Sequence, residues 1–208
     1  MLATKDLTYA YLNGPSFEFP DLDLNRAQTL VILGRSGQGK TTLLHLLAGL
    51  SVPLAGSIVI NDTDISALSA RKMDWFRGRH IGMIFQQAQF IRSITVIQNL
   101  QLARTLAGFQ ADSELANSLL AELGIAEHKD KLPDLLSVGE KQRASIARAL
   151  MTNPMVVLAD EPTSALDDEN CQMVADLLQK TVTGRGAALI IVTHDQRLKV
   201  RFPNSVEL

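Results

Sequence analysis

The feature that most constrains the fold of this chain is a set of near-continuous apolar runs separated by helical patterns. The runs are TLVIL (29–33), MVVLA (155–159) and AALIIV (187–192). Continuous rather than alternating apolar residues are typical of parallel strands with both faces buried. Helical patterns lie between them, including TTLLHLLAGL (41–50) and the segment 167–182. This alternation predicts an α/β fold built on a mainly parallel sheet.

Two further regions complete the predicted architecture. From about 88 to 150 the sequence has helical periodicity and no convincing buried strand, which predicts a helical lobe inserted into the α/β core. The regions of about 1–33 and 57–61 are rich in Thr, Ser and Val and predict an antiparallel strand layer. No repeat or linker interrupts the 208 residues, so we expect a single domain over 1–208.

Composition excludes several classes of protein. The 20 Lys and Arg residues nearly balance the 22 Asp and Glu residues, which argues against nonspecific nucleic-acid binding as the main activity. The single cysteine, Cys171, excludes an intramolecular disulfide. It lies in the polar helical stretch DDENCQMVADLLQK, so we expect a surface or half-buried thiol.

Membrane insertion is not expected. The N-terminus MLATKDLTYAYLNG lacks the basic-then-apolar pattern of a signal sequence. The most apolar stretch, 43–56, contains His45 and Pro53 and falls short of the roughly 20 apolar residues that span a bilayer. The sequence therefore predicts a soluble, cytoplasmic protein, and any work at a membrane would need a second chain.

The segment GRSGQGKTT (34–42) predicts a phosphate-binding loop. It fits the pattern G-x-x-x-x-G-K-[ST] and stands between a buried strand and an apolar helix. Backbone N–H groups of such a loop and helix N-terminus surround a phosphate, the lysine reaches the β- and γ-phosphates, and the hydroxyl binds Mg²⁺. The alternative is a glycine-rich turn that binds nothing. The predicted nucleotide-binding residues here are Gly34, Arg35, Ser36, Gly37, Gln38, Gly39, Lys40, Thr41 and Thr42.

Two acidic residues end the next buried run, VVLADE (156–161). Asp160 at the strand end is predicted to approach the magnesium ion, together with Thr41 of the loop. Glu161 is predicted to hold the attacking water. In isolation, an acidic pair that simply caps a strand end is common.

A second anion-binding pattern lies about a hundred residues after the first. In LSVGEKQRASIARAL (136–150), Ser137 and Gly139 flank the start of a predicted helix. A helix N-terminus presents free N–H groups and a partial positive charge. The sequence therefore has two predicted phosphate-binding segments that are far apart along the chain.

Taken together, these motifs resemble the ATP-binding subunit of an ABC transporter, loosely of the lipoprotein-releasing and macrolide-efflux type. The resemblance covers essentially the whole chain and rests on the order of six segments. They are the loop at 34–42, IGMIFQ (81–86), LSVGE (136–140), VVLADEP (156–162), SALD (164–167) and VTHD (192–195).

The resemblance implies roles for individual residues. Tyr11 would stack on adenine, although Tyr9 is a competing candidate and either could be a core aromatic residue. Gln86 would contact Mg²⁺ and the water, and His194 would contact the γ-phosphate. With Glu161, Gln86 and His194 make up the predicted catalytic set. ATP and Mg²⁺ are the implied ligands.

The resemblance also explains the two phosphate-binding segments. In this family two copies face head to tail, and each signature segment covers the nucleotide held by its partner's loop. Ser137, Gly139 and Glu140 would therefore contact ATP bound to the other protomer, and Asp167 would lie across the same interface. The expected assembly is a homodimer when ATP is bound.

The signature departs from the usual LSGGQ at Val138 and Glu140. Glutamate at the last position is a familiar variant. Valine would cost on the order of 1–3 kcal/mol if residue 138 needed a positive φ, but it is tolerable within the first helical turn. We expect the fold to tolerate valine at this position.

The implied function is ATP hydrolysis that drives a separate transmembrane permease from the inner face of the cell membrane. The permease should contact segment 87–100, where Phe90 and Ile91 are candidate contacts or core residues. A P-loop GTPase would need N-K-x-D, and a chromosome-organising ATPase would need a long coiled-coil insertion; the sequence has neither. A regulator that signals through a membrane protein without moving cargo remains the alternative.

Overall fold

The computed structural model describes residues 1–35, 37–164 and 168–208. The strands are β1 (Leu2–Ala10), β2 (Ser16–Glu18), β3 (Asp23–Leu24), β4 (Thr29–Leu33), β5 (Ala55–Ile60), β6 (Thr63–Asp64), β7 (Ile81–Ile84), β8 (Val156–Asp160), β9 (Ala188–Thr193) and β10 (Ser205–Glu207). The helices are α1 (Lys40–Leu47), α2 (Ala70–His80), α3 (Val96–Leu106), α4 (Ser113–Glu122), α5 (Val138–Leu150), α6 (Asp168–Thr183) and α7 (Gln196–Arg201).

The central sheet is parallel throughout and has the strand order β10-β4-β9-β8-β7. The three apolar runs of the sequence form its three inner strands, β4, β9 and β8. Their registers pair Val31 with Ile191 and Leu158 with Ile190. The predicted parallel sheet is thus confirmed.

Both faces of this sheet are covered, which explains the continuous apolar runs. On β4, Val31 and Leu33 join the cluster that includes residues of α3, α4, α5 and α6. Leu30 and Ile32 join a second cluster with α1, β1 and β5. Each fully buried aliphatic side chain contributes about 1.5–3 kcal/mol relative to exposure. These two clusters fix the sheet that carries the site at its edge.

The antiparallel layer is confirmed with one change of boundary. Its strand order is β2-β1-β5-β6, with β3 paired to β1 on the side. The segment 29–33 fell inside the predicted range of this layer, but it belongs to the parallel sheet. All five of its residues are apolar or β-branched, and a strand of the outer layer would leave one face of that run in water.

The inserted helical lobe is also confirmed. Its three helices begin with side-chain caps from Thr95, Asp112 and Ser137. Helix α2 was not predicted, because it buries only Met73 and Phe76 and its apolar stripe is narrow. Within the described residues, no helix is long and apolar enough to cross a membrane.

The expectation for Cys171 was wrong, because its side chain is fully buried. It lies on the stripe of α6 formed by Cys171, Val174, Ala175, Leu178 and Val182, all of which join the cluster beneath the sheet. That spacing is the buried face of a helix. Gln172 and Asp176, which follow it in the sequence, are exposed on the other faces of the helix.

Candidate nucleotide-binding site

The predicted phosphate-binding, metal-binding and catalytic residues that the structure describes converge at the carboxyl edge of the parallel sheet, whereas the signature segment lies elsewhere. The glycine-rich loop follows β4, Asp160 ends β8, and His194 follows β9. Parallel strands place their carboxyl ends at one edge, where ligands of open α/β sheets bind. There they surround a cavity of about 750 Å³. Its lining residues are Tyr11, Pro15, Phe17, Arg35, Gly37, Gly39, Lys40, Thr41, Thr42, Gln86, Asp160, Glu161 and His194.

The backbone of the loop requires glycine at two positions. Gly37 has φ 85° and Gly39 has φ 90°, in the left-handed region that other residues avoid. A Cβ on Gly39 would also come within 2.7 Å of the Phe17 ring. Helix α1 begins at the next residue, and no described side chain caps it. Its first N–H groups are therefore available to an anion at the cavity.

The remaining loop residues hold the turn together. The Gln38 side-chain oxygen accepts a hydrogen bond from the Arg35 N–H, and Gly34 lies where a Cβ would meet that oxygen at 2.8 Å. Gln38 therefore has a structural role, whereas Arg35 also lines the cavity. Ser36, predicted as a phosphate contact, lies outside the described residues.

Lys40 lies at the centre of the loop. Its ammonium group donates to the carbonyl oxygens of Gly34 at 2.8 Å and of Arg35 at 3.1 Å, and the residue is 8% exposed. Lysine carries three N–H donors, so these two bonds leave one for an incoming phosphate oxygen. The loop carbonyls thus hold the charge at the cavity wall.

Thr41 and Asp160 form an oxygen pair in the lining of the cavity. The Thr41 hydroxyl donates to the Asp160 carboxylate at 3.4 Å. Burial, and next the negative charge of Glu161, raise the pKa of Asp160 above its ordinary value. A hydroxyl and a carboxylate are hard oxygen donors, and Mg²⁺ is typically held by one or two carboxylates plus substrate phosphates. The residues present therefore fit a magnesium ion.

Glu161 has an unusual backbone and a fully engaged side chain. Its φ is 46°, and its N–H donates to the Val192 carbonyl at 2.9 Å. One carboxylate oxygen accepts from the Thr193 hydroxyl at 2.8 Å. The other lies 3.0 Å from the His194 N–H and 2.7 Å from its Nδ1. A left-handed non-glycine residue is strained by about 1–3 kcal/mol, and such strain clusters at functional sites.

Gln86 contacts the turn that follows Glu161. Its side-chain amide donates to the Ser164 hydroxyl at 3.3 Å, and that hydroxyl donates to the Glu161 carbonyl at 3.1 Å. Gln86 follows β7, the strand that leads into the helical lobe. The glutamine thus joins the acidic end of β8 to the connection between core and lobe.

Of the two tyrosines, Tyr11 lines the cavity and Tyr9 does not belong to its described lining. Tyr11 is 44% exposed, and its hydroxyl lies 2.9 Å from the Thr42 hydroxyl. Tyr9 packs edge to face on Tyr11 and against the second core cluster. This arrangement favours Tyr11 over Tyr9 as the aromatic residue of the site.

The signature segment lies at the start of α5 and is not in the described lining of the cavity. Ser137 and Glu140 form a reciprocal cap: each side chain accepts a hydrogen bond from the backbone N–H of the other. Glu140 also pairs with His128 at 2.8 Å, and the N–H of Ser137 is the largest cause of its lowered pKa. Asp167, predicted to cross the dimer interface, lies outside the described residues.

The valine in this segment is tolerated for a geometric reason. Val138 is the first residue of α5, and it is not among the residues with positive φ. Its side chain is 59% exposed. The strain that a left-handed valine would impose is therefore absent at this position, as expected for the first helical turn.

Sequence reasoning missed three contributors to the site, of which Pro15 only lines the cavity. Phe17 on β2 packs against the loop and lines the cavity, although only its place beside Gly39 in space reveals this. Thr193 bonds to Glu161, and its one sequence signal is that it directly precedes His194 at a strand end. None of these residue types by itself indicates a site.

Comparison with known proteins identifies the class. The model of the ABC transporter family matches residues 18–164. YtrE of Bacillus subtilis, an ABC transporter ATP-binding protein, is 38% identical over 186 residues, which cover 88% of this chain and 80% of that protein. LolD of Bacteroides thetaiotaomicron, a lipoprotein-releasing system ATP-binding protein, is 37% identical over 180 residues, which cover 86% of this chain and 83% of that protein.

Other relatives differ in length or are known from solved structures. MetN 2 of Rhodococcus jostii, a methionine import ATP-binding protein, is 43% identical, but the match spans only 52% of its length. A dimeric structure of the ATP-binding cassette MJ0796, in a post-hydrolysis state with ADP and Pi, superposes with a TM-score of 0.88 at 28% identity. It covers 100% of this chain and 94% of that one.

The fold and the site thus define an ATP-binding cassette. Because the family model matches more than half of the chain and the relatives exceed 30% identity over most of it, the chain belongs to the ABC transporter family. It is an ATP-hydrolysing subunit of an ATP-driven transporter, and the non-transport regulator is not favoured by these relatives.

Proposed function

We propose that ATP binds with its phosphates in the cavity at the sheet edge and is hydrolysed there with the help of Glu161. The observation that carries the proposal is the convergence of Lys40, Thr41, Asp160, Glu161 and His194, from three separate strand ends, on one cavity of about 750 Å³. A cation, a hydroxyl–carboxylate pair and a second carboxylate are the groups that phosphoryl transfer to water requires.

The phosphates are held by the loop and the start of α1. Free N–H groups at the helix N-terminus and the Lys40 ammonium group offset the phosphate charge. Thr41 and Asp160 would hold Mg²⁺, with Gln86 beside them. When bound, Mg²⁺ supplies positive charge that polarises the phosphoryl oxygens. Tyr11, at the mouth of the same cavity, stacks on the adenine ring.

Glu161 acts as the general base. Its carboxylate lines the cavity, and its position after β8 places it next to the pair that holds the metal ion. It orients the attacking water and accepts its proton, while His194 contacts the γ-phosphate. General-base catalysis typically contributes 10²- to 10⁴-fold to a rate.

Two copies of the chain complete each site. The open environment of Gly139 supports this: a Cβ there would meet no described atom within 4 Å, and its φ is not positive. The fold of the protomer therefore does not need glycine at this position. Glycine is needed instead for a phosphate that is bound to the second protomer, because the backbone at Gly139 must come close to it. The helix dipole of α5 favours that anion.

The energy of hydrolysis is passed to a separate permease at the inner face of the cell membrane. A groove of about 490 Å³ beside segment 87–100 supports this, with Phe85, Phe90, Ile91, Leu102 and Leu106 among its lining residues. Ile91 is 49% and Leu106 is 79% exposed. Apolar side chains exposed along one groove are suited to an apolar helix of a partner.

The deciding experiment compares Glu161→Gln with Lys40→Ala. Glu161→Gln should lower the hydrolysis rate by at least about 100-fold yet retain ATP binding, and it should form a stable dimer with ATP in gel filtration. Lys40→Ala should instead weaken ATP binding in calorimetry, and it should not dimerise. A Glu161→Gln protein that binds ATP but stays strictly monomeric would contradict the composite site. Unchanged ATP affinity in Lys40→Ala would contradict the assigned phosphate contact.

A further inference from the structure

The hydroxyl of Thr193 forms part of a short hydrogen-bond chain that ends on the proposed general base. Thr193 is the last residue of β9 and is fully buried. Its oxygen accepts a hydrogen bond from the Asp195 N–H at 3.0 Å. The same hydroxyl donates its single proton to the Glu161 carboxylate at 2.8 Å. The Asp195 N–H orients the hydroxyl so that its proton points at the carboxylate.

The ring of His194, another partner of Glu161, is free to move, whereas Thr193 is not. His194 contributes a backbone N–H at 3.0 Å and a ring nitrogen at 2.7 Å to one carboxylate oxygen, and the same N–H lies 3.4 Å from the other oxygen. The ring is 64% exposed, so it can turn away from Glu161 when it contacts a phosphate. The Thr193 hydroxyl lies on the opposite oxygen and cannot turn away, because it is buried at the end of a strand.

We infer that Thr193 is a positioning residue for ATP hydrolysis, which fixes the carboxylate of Glu161 at the angle needed to accept a proton from water. With one oxygen bound to Thr193 and the other to the His194 N–H, both carboxylate oxygens are held without the His194 ring. This inference rests on the proposed role of Glu161. Thr193 contributes to the orientation of the base and not to the affinity for ATP.

The backbone explains why such support is needed. Glu161 has φ 46°, a conformation that glutamate adopts with strain, and its side chain enters the cavity from that turn. A long, flexible side chain on a strained turn has several rotamers of similar energy. The Thr193 hydroxyl selects one of them, since a hydrogen bond to a charged group outweighs the differences between rotamers.

The test is a double-mutant cycle between Thr193 and Glu161, with serine as the rescuing variant. Thr193→Val keeps the shape and removes the hydroxyl. It should lower kcat for ATP hydrolysis by about 10- to 100-fold, the kinetic equivalent of one hydrogen bond to a charged group, and leave the KM for ATP within about twofold. Thr193→Ser retains the hydroxyl and should restore kcat to within about threefold of the wild type.

In the Glu161→Gln background, Thr193→Val should have less than a twofold further effect on single-turnover hydrolysis, because the general base that Thr193 positions is already lost. ATP affinity by calorimetry verifies that each variant is folded, and Thr193→Ala replaces the valine variant if that protein does not fold. A wild-type kcat in Thr193→Val, an equal loss in Thr193→Ser, or a full loss in the Glu161→Gln background would overturn the inference. Wild-type hydrolysis in Glu161→Gln alone would instead refute the proposed base.

Discussion

Replacing Gly139 by alanine should stabilise the protomer and at the same time impair ATP hydrolysis. Gly139 is the second residue of α5, its φ is not positive, and an added Cβ would meet no described atom within 4 Å. Alanine is favoured over glycine in a helix by about 0.5–1 kcal/mol, partly because the unfolded chain loses freedom. For a domain of this size that corresponds to a rise in Tm of roughly 1–4 °C.

In the proposed ATP-bound dimer the same Cβ would stand between α5 and a phosphate of the partner's nucleotide. The close approach of backbone to phosphate is then blocked, and the N–H groups of the helix can no longer reach the anion. We expect hydrolysis to fall by at least about tenfold at saturating ATP, with no dimer in the Glu161→Gln background. The assays are thermal unfolding without nucleotide, steady-state hydrolysis and gel filtration.

Gly82 provides the matched control, because a Cβ there would lie 2.6 Å from the Ala149 carbonyl and 3.1 Å from Pro154. Gly82→Ala should therefore lower the Tm through overpacking, by an amount equivalent to about 1–3 kcal/mol. Gly139→Ala with wild-type hydrolysis and a normal ATP-dependent dimer would refute the close approach. A lower Tm for Gly139→Ala would refute the view that the protomer does not need this glycine.

Three further predictions concern other parts of the chain. Burial raises the pKa of Asp160, so the folded protein holds the proton of this carboxyl group more tightly than the unfolded chain does. The contribution of Asp160 to stability therefore falls as the pH rises above the ordinary pKa of an aspartate. Asp160→Asn should therefore raise the Tm at neutral pH without nucleotide while hydrolysis is lost; an unchanged or lower Tm would contradict this. Asn99 is 4% exposed, and its side chain bonds to the backbone N–H and carbonyl of Ile91 and to two further carbonyls. Asn99→Ala should therefore lower the free energy of unfolding in urea by about 1–3 kcal/mol. It should also reduce permease-stimulated hydrolysis more than basal hydrolysis. Burial also raises the pKa of the Cys171 thiol, so this single cysteine should react with a thiol reagent only in denaturant, and fast labelling of the native protein would contradict its position.

Much of the fold followed from local sequence because the physical cause is local. An apolar run without alternation can be buried only between two layers, so 29–33, 155–159 and 187–192 had to be inner strands. The glycine-rich loop depends on backbone freedom at Gly37 and Gly39, which no tertiary contact can supply. The adjacency of Asp160 and Glu161 at a strand end likewise places both carboxylates at one edge of the sheet.

Local sequence predicted burial and backbone conformation less well where a single helix face or the exact start of a helix decides them. Cys171 is surrounded by polar neighbours along the chain, but the turn of α6 places it on the buried stripe. Val138 was acceptable under one backbone conformation and strained under another, and the start of α5 decided between them. Helix α2 has too few buried residues to produce a clear period.

The sequence by itself determined which elements form and which chemical groups stand at the sheet edge, because periodicity, glycine placement and strand ends act over a few residues. Only the tertiary structure decided how those groups are held. The bond from Thr193 to Glu161 joins residues that are 32 positions apart, and the pair Thr41–Asp160 joins residues that are 119 apart. Such contacts are set by the register of neighbouring parallel strands, and that register is fixed by the packing of two hydrophobic clusters on opposite faces of the sheet.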